Sequence, residues 1–157
     1  MFDMNEWCNR LILHEGMVLK PYKCPMGKLT IGVGRNLEDN PLTSEELRAL
    51  GDYKHGITEN GAKMLLRNDI MRCYEQLKKH IIVFDELEPD RQYALVDMCF
   101  QLGFKGLRKF KNMLKAIEKK DFDNISMILR RIISLMTRGI QNKQTPLISG
   151  REIIITE

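Results

Sequence analysis

The sequence predicts an α+β fold in which a small N-terminal β-hairpin lobe and a larger helical lobe are joined by a long helix. A short helical segment is followed at once by two β-type runs. Most later segments have helical periodicity, and one of these is apolar nearly all round. With 157 residues, 43% of them hydrophobic, the chain suits one well-buried core. We therefore expect a single domain with a cleft between its lobes.

The front of the chain predicts a helix and a hairpin. Apolar residues recur at helical spacing up to Gly16, a typical C-terminal stop, and predict a helix over 3–15. Two β-type runs follow at 18–23 and 28–34, and a proline and a glycine between them predict a turn.

Helices account for most of the remaining chain. Thr43 followed three residues later by Glu46 predicts a capped helix over 44–50. An apolar stripe predicts a long helix over 58–79. The next helix, at about 90–102, is apolar over most of its circumference, which is typical of the centre of a core.

Two shorter helices are predicted over 107–119 and 122–136. The segments group into a hairpin lobe at about 16–57, the interlobe helix, and a helical lobe at about 80–157 that also includes the first helix.

Composition argues against several classes of protein. No apolar run approaches the roughly 20 residues of a membrane span, and the N-terminus lacks the pattern of a secretory signal. We expect a soluble protein made in a cytoplasm. The histidines are dispersed and the cysteines form no C-x-x-C pair, so we expect thiols, no metal site and no cofactor. The four cysteines are Cys8, Cys24, Cys73 and Cys99.

Positive charge is concentrated late in the chain, although the net charge is only +4. Such a patch is typical of contact with nucleic acid, anionic lipid or an acidic wall polymer, and equally of a solvated helix face. The basic residues are Lys105, Arg108, Lys109, Lys111, Lys115, Lys119 and Lys120, with Glu118 among them.

Glu15 occupies an unusual position for an acid. It falls in the last turn of the first helix, where the negative end of the helix dipole is expected to raise its pKa. A raised carboxyl pKa suits a general acid, and Cys24 and Thr30 on the hairpin could both face back toward the helix end, as an opposing group across a groove does in glycoside hydrolysis. Spacing alone leaves the simpler interpretations open: a frayed helix end, a small buried thiol, and a threonine chosen for β propensity.

The residues around Glu15 resemble a known family. Glu15, eight intervening residues, Cys24, five more, and Thr30 followed by IGVG form a signature similar to that of the phage-type lysozymes, the endolysins of glycoside hydrolase family 24. Similarity continues in "GITENGAKMLLRNDI" and "RQYALVDMCFQLGFKGLRKFKNML". The resemblance covers roughly residues 7–130 and implies a lysozyme-like fold.

The resemblance implies a muramidase that hydrolyses the β-1,4 bond between N-acetylmuramic acid and N-acetylglucosamine in bacterial peptidoglycan. Glu15 would protonate the leaving oxygen and Thr30 would help hold the attacking water. Cys24 stands where many members carry Asp. It would act either as a thiolate stabilised locally, with Lys23 and Lys28 as the nearest basic candidates, or as a thiol that orients water.

Other positions carried over from the family are Phe100 and Gln101, which would line the cleft as substrate-binding residues. An aromatic residue on a central helix is also typical of a core. The resemblance further sets Arg35 opposite Asp69, in a partly exposed pair that would tie the lobes together and contribute about 1 kcal/mol or less.

The C-terminal tail departs from the family. Members usually carry an arginine that approaches the catalytic glutamate after a "TP" segment. Here Leu147 and Ile148 follow Pro146, and the nearest candidate, Arg151, is displaced. We expect the missing cation to raise the Glu15 pKa further and to loosen the positioning of the acid.

Two rival functions stay open: a non-hydrolytic peptidoglycan-binding homologue, which the divergent tail favours, and a lytic transglycosylase, which the retained Thr30 disfavours. A nucleic-acid binder is disfavoured because no aromatic stacking platform accompanies the lysines. For partners we expect bacterial peptidoglycan, no nucleic acid, no membrane anchor and a monomeric state. We also expect residence in the host cytoplasm and action on the periplasmic wall after a separate holin-like protein permeabilises the membrane.

Overall fold

A computed structural model describes residues 3–125, 127–128, 130–131 and 134 of the chain. The chain divides into two compact units between Met71 and Arg72, and we call them the N-terminal and C-terminal units. The first helix, which the sequence groups with the helical lobe, belongs to the N-terminal unit with the hairpin. The assignment of the whole chain to one domain stays a prediction.

The α+β fold class is confirmed: the described residues are mostly helical and contain one small antiparallel sheet. The helices are α1 (Met4–Glu15), α2 (Ser44–Leu50), α3 (Glu59–His80), α4 (Pro89–Leu107) and α5 (Lys111–Glu118), and the strands are β1 (Val18–Lys23), β2 (Leu29–Gly32) and β3 (Arg35–Asn36). Of the predicted helix over 122–136, the described residues are helical. The tail with Pro146, Leu147, Ile148 and Arg151 lies outside the described residues.

The sheet has the strand order β1-β2-β3, so the predicted hairpin gains a short third strand. Tyr22 lies opposite Thr30 in the antiparallel register, and the pairing is irregular between Val18 and Tyr22. Pro21 falls within this irregular stretch, as expected for a residue with no N–H to give to a regular ladder.

The predicted helix ends are confirmed in the N-terminal unit. The Asp3 carboxylate accepts the Glu6 N–H at 3.1 Å and begins α1. Gly16, at φ +74°, ends it by donating its N–H to the Ile12 carbonyl at 2.8 Å. The capping box of α2 also forms, with Thr43 and Glu46 exchanging hydrogen bonds.

The predicted pair of Arg35 and Asp69 forms, but the prediction of its exposure was wrong. The two side chains are 2% and 4% exposed, and both residues belong to the N-terminal unit. Glu46 is a second carboxylate bound to the same guanidinium, at 2.9 Å. The expected contribution of about 1 kcal/mol or less therefore does not apply, because it holds for solvated pairs.

The C-terminal unit contains the predicted apolar helix. Residues 92–99 of α4 are all buried, which agrees with a central position. The helix continues past the predicted end at 102, but with a break at Gly103, whose φ of 71° and ψ of 160° are not helical. A glycine is suited to this position because a positive φ is costly for residues with a Cβ.

Candidate active site

Glu15 is the last residue of α1 and is half-buried. Burial of Trp7, Cys8 and Leu11 on one face of α1 fixes the helix, and Gly16 then turns the chain into β1. The Oε1 atom of Glu15 is buried, so the carboxyl group is held against the protein rather than extended into solvent. The predicted rise of its pKa stays a prediction.

Cys24 begins the turn of the hairpin. Its N–H donates to the Lys28 carbonyl at 2.9 Å, and the Gly27 N–H donates back to the Cys24 carbonyl at 2.8 Å. Pro25 follows it directly, and its fixed φ suits the second position of such a turn. The thiol is half-exposed.

The turn sets the protonation of the Cys24 thiol. Burial alone raises its pKa, but hydrogen bonds from the backbone of Lys28 and Met26 and from the Thr30 side chain hold it below the usual value. The main stabilisers of the thiolate are thus hydrogen-bond donors of the hairpin. The Lys28 ammonium, one of the two predicted basic candidates, binds Asp39 at 2.6 Å.

Thr30 lies on β2 and is 3% exposed. Its hydroxyl donates to the Lys28 carbonyl at 3.0 Å and also hydrogen-bonds the Cys24 side chain. Since a hydroxyl has one proton, it can accept from a neutral Cys24 thiol while donating to the carbonyl, or turn its proton toward a thiolate. The structure thus brings the two predicted hairpin residues together.

Tyr22 lies beside the three predicted catalytic residues and was not predicted from the sequence. It is half-buried and lies opposite Thr30 in register, so both side chains project from the same face of the hairpin. Burial, followed by the nearby charges of Cys24 and Glu15, raises its pKa, so its hydroxyl stays protonated at neutral pH. The signal that could have found it was its position in the first strand of the hairpin, two residues before Cys24.

Phe100 and Gln101, the predicted substrate-binding residues, lie on α4 in the C-terminal unit and are half-buried. The Gln101 amide donates to Asp97 Oδ1 at 2.9 Å, which fixes its orientation. Phe100 follows the buried residues 92–99 directly and is more exposed than any of them.

The seven basic residues predicted as a patch are all exposed in the C-terminal unit. Lys120 binds Glu86 at 2.6 Å, and the Arg108 guanidinium lies 6.0 Å from the centre of the Phe104 ring. Among the described residues, no cluster of histidine, cysteine and acidic side chains could hold a metal ion. In the same part of the chain, no helix is long and apolar enough to cross a membrane.

Comparison with known proteins identifies the family. The sequence profile described as phage lysozyme matches residues 13–143, which include Glu15, Cys24 and Thr30. The chain belongs to the phage lysozyme family. The predicted resemblance is therefore confirmed, and membership of the phage lysozyme family supports a lysozyme-like muramidase function.

Individual relatives agree with this assignment. The chain is 29% identical to probable T4-type lysozyme 2 of Dictyostelium discoideum and 27% identical to probable T4-type lysozyme 1 of the same organism; each match covers 91% of this chain and 88% of the relative. It is also 30% identical to the pre-baseplate central spike protein Gp5 of Enterobacteria phage T4, over 69% of this chain and 21% of that protein.

Proposed function

We propose that this member of the phage lysozyme family hydrolyses the β-1,4 bond between N-acetylmuramic acid and N-acetylglucosamine in bacterial peptidoglycan. The observation that carries the proposal is the arrangement around the hairpin. Glu15 at the end of α1 and the hydrogen-bonded thiol of Cys24 both lie close enough to Tyr22 to raise its pKa. An acid opposed by a group that can carry negative charge is the pair used in glycoside hydrolysis.

In this mechanism Glu15 is the general acid. It donates its proton to the glycosidic oxygen as the bond to the anomeric carbon breaks. A partly buried carboxyl at the C-terminal end of a helix favours the protonated form, since burial and the helix dipole both disfavour the anion.

Cys24 and Thr30 act on the other side of the reaction. As the sugar acquires oxocarbenium character, the Cys24 sulfur supplies partial or full negative charge, depending on its protonation. The Thr30 hydroxyl, already hydrogen-bonded to that sulfur, orients the water that attacks the anomeric carbon. Phe100 and Gln101 are proposed to contact the glycan strand.

The test is a lysis assay on permeabilised Gram-negative cells with Glu15→Gln, which retains the shape of the side chain and cannot donate a carboxyl proton. We expect a loss of at least about 100-fold in rate. Glu75→Gln, at an exposed position of α3, is the matched control and should retain the wild-type rate. Equal rates for Glu15→Gln and wild type would rule out the mechanism.

Mass spectrometry of the released fragments tests the reaction type. Hydrolysis leaves a reducing muramic acid end, whereas a lytic transglycosylase leaves an anhydro end that is lighter by one water. Binding of glycan without any released fragment would identify a non-hydrolytic homologue instead.

The cellular role is part of the same proposal. The protein would be made in a host cytoplasm and would act as a monomer on the periplasmic wall, lysing the cell once a separate protein permeabilises the membrane. Lysis of intact cells only when such a permeabilising protein is co-expressed would support this role.

A further inference from the structure

Two buried cysteines of the C-terminal unit contact each other. Cys73 on α3 is 5% exposed and Cys99 on α4 is 2% exposed. Both are thiols, and their side chains are joined by a hydrogen bond. The two thiols are therefore in direct contact, which is the first requirement for a disulfide between them.

The surroundings of this pair are polar for a buried site. The Sγ atom of Cys99 lies 3.9 Å from the Gln76 Oε1 atom. The hydrogen bond from Cys73 lowers the pKa of the Cys99 thiol, burial opposes this, and the positive charge of Arg72 lowers it further. A buried cysteine acting only as a small hydrophobe would have its pKa raised, because burial disfavours the thiolate.

We propose that Cys73 and Cys99 are a modification site that closes a disulfide between α3 and α4 on reaction with a small peroxide. The Cys99 thiolate attacks one peroxide oxygen, the O–O bond breaks, and a sulfenic acid and hydroxide form. The Cys73 sulfur then attacks the Cys99 sulfur and displaces water. In total, two thiols and hydrogen peroxide give one disulfide and two waters, with two electrons passing from sulfur to oxygen.

The burial of Cys99 favours a small oxidant over a bulky one. A hydrogen peroxide molecule is only slightly larger than water, whereas a bulky disulfide such as oxidised glutathione must bring its sulfur to a side chain that is 2% exposed. The natural comparison is Cys8, which is as buried as Cys73, at 5% exposed, but whose thiol is influenced by Arg67 and Lys63 rather than by another cysteine of the described residues. Burial raises the Cys8 pKa despite a hydrogen bond with Arg67, so Cys8 should react slowly.

The cross-link would constrain the segment from Cys73 to Cys99, including the turn at Phe84–Glu86 and most of α4 before its break. Closing this loop restricts the unfolded chain and should raise the melting temperature by roughly 5 to 10 °C. The inference is independent of the proposed muramidase activity, because neither the bond nor its effect on stability involves Glu15 or the hairpin.

The test is mass spectrometry of the full-length wild-type protein after exposure to hydrogen peroxide. We expect a loss of about 2 Da, and non-reducing peptide mapping should assign it to a Cys73–Cys99 link. The melting temperature should rise, and dithiothreitol should reverse both changes. Cys73→Ser and Cys99→Ser should each abolish the link, whereas Cys8→Ser should form it as the wild type does.

Three results would overturn the proposal. One is an unchanged mass at Cys73 and Cys99. Another is a gain of about 32 Da on Cys99, because a sulfinic acid would show that Cys73 does not capture the sulfenic acid. The third is a link from either residue to Cys8 or Cys24. The wild-type peptide map decides among these outcomes even if a serine variant fails to fold.

Discussion

Arg35 and Asp69 form a buried ion pair, with the Nη1 atom of the arginine 2.9 Å from the Oδ1 atom of the aspartate. The same guanidinium binds Glu46 and donates to the Asn40 and Pro41 carbonyls at 2.8 and 3.2 Å. The arginine thus joins the loop after β3, the helix α2 and the helix α3 within the N-terminal unit. Its removal would leave two buried carboxylates close together.

Arg35→Met should therefore destabilise the protein by about 3–5 kcal/mol, because it leaves uncompensated buried charge. Asp69→Asn should cost less, since the pair of Arg35 and Glu46 would survive. Urea unfolding followed by circular dichroism measures both. The control is Arg10→Met, which breaks an exposed pair with Glu6 and should change the stability by less than about 1 kcal/mol. Similar losses for the two arginine variants would contradict the importance of burial.

Glu46 should make stability dependent on acid pH. Burial raises its pKa, but the Asn68 amide, the Thr43 N–H and Arg35 together hold it below the usual value of 4.5. Because the unfolded carboxyl binds its proton more readily, this contribution is fully present above about pH 4.5 and is lost as the pH falls through the folded pKa.

Unfolding curves between pH 3 and 7 test this expectation. Glu46→Gln should be less stable than wild type at pH 7 and should lose less stability on acidification. Glu45→Gln, at the exposed neighbouring position of α2, should follow the wild-type curve. A Glu46→Gln curve parallel to wild type would show that this carboxylate does not contribute.

Thr30 should tune the reactivity of Cys24. The rate at which iodoacetamide alkylates Cys24 follows the thiolate fraction. The pH at which this rate is half-maximal should therefore be lower than for an ordinary cysteine. Thr30→Val removes one of the hydrogen bonds that lower this pKa and should move the midpoint to higher pH. An unchanged midpoint would show that Thr30 does not stabilise the Cys24 thiolate. Cys24→Asp should remain active and become insensitive to the reagent, which confirms where alkylation acts.

Tyr22 should position the acid and the thiol. Tyr22→Phe removes the hydroxyl that is close to both charges, and we expect roughly a tenfold loss in lytic rate with a shifted pH profile. Tyr53→Phe is the matched control, since Tyr53 is also half-buried and packs against the apolar core of the N-terminal unit. A loss of stability without a shifted pH profile would indicate a structural role only.

Local sequence signals predicted the helices of the N-terminal unit well. The ends of α1 and the capping box of α2 depend on single side chains at fixed offsets, which the sequence displays directly. The third strand was missed because two residues, Arg35 and Asn36, are too short to show alternation. Gly103 breaks α4 without ending it, and its neighbours carry no signal for this.

The candidate site residues could be chosen from the sequence, but their interactions could not. Glu15, Cys24 and Thr30 came from a spacing that matches a family. The stabilisation of the Cys24 thiolate could not be predicted. Backbone N–H groups are the same in every residue, and only the folded turn directs them toward the sulfur. Likewise, Glu46 had already been assigned to a capping box, and nothing in the sequence shows that its carboxylate also binds Arg35.

The half-exposed thiol at the hairpin turn makes the protein easy to label selectively. Cys8, Cys73 and Cys99 are buried, so a maleimide fluorophore should attach at Cys24 and report there on the arrival of a glycan. A chitooligosaccharide that carries a weak electrophile should react with the same Cys24 thiol. The covalent adduct would trap the sugar in its binding position.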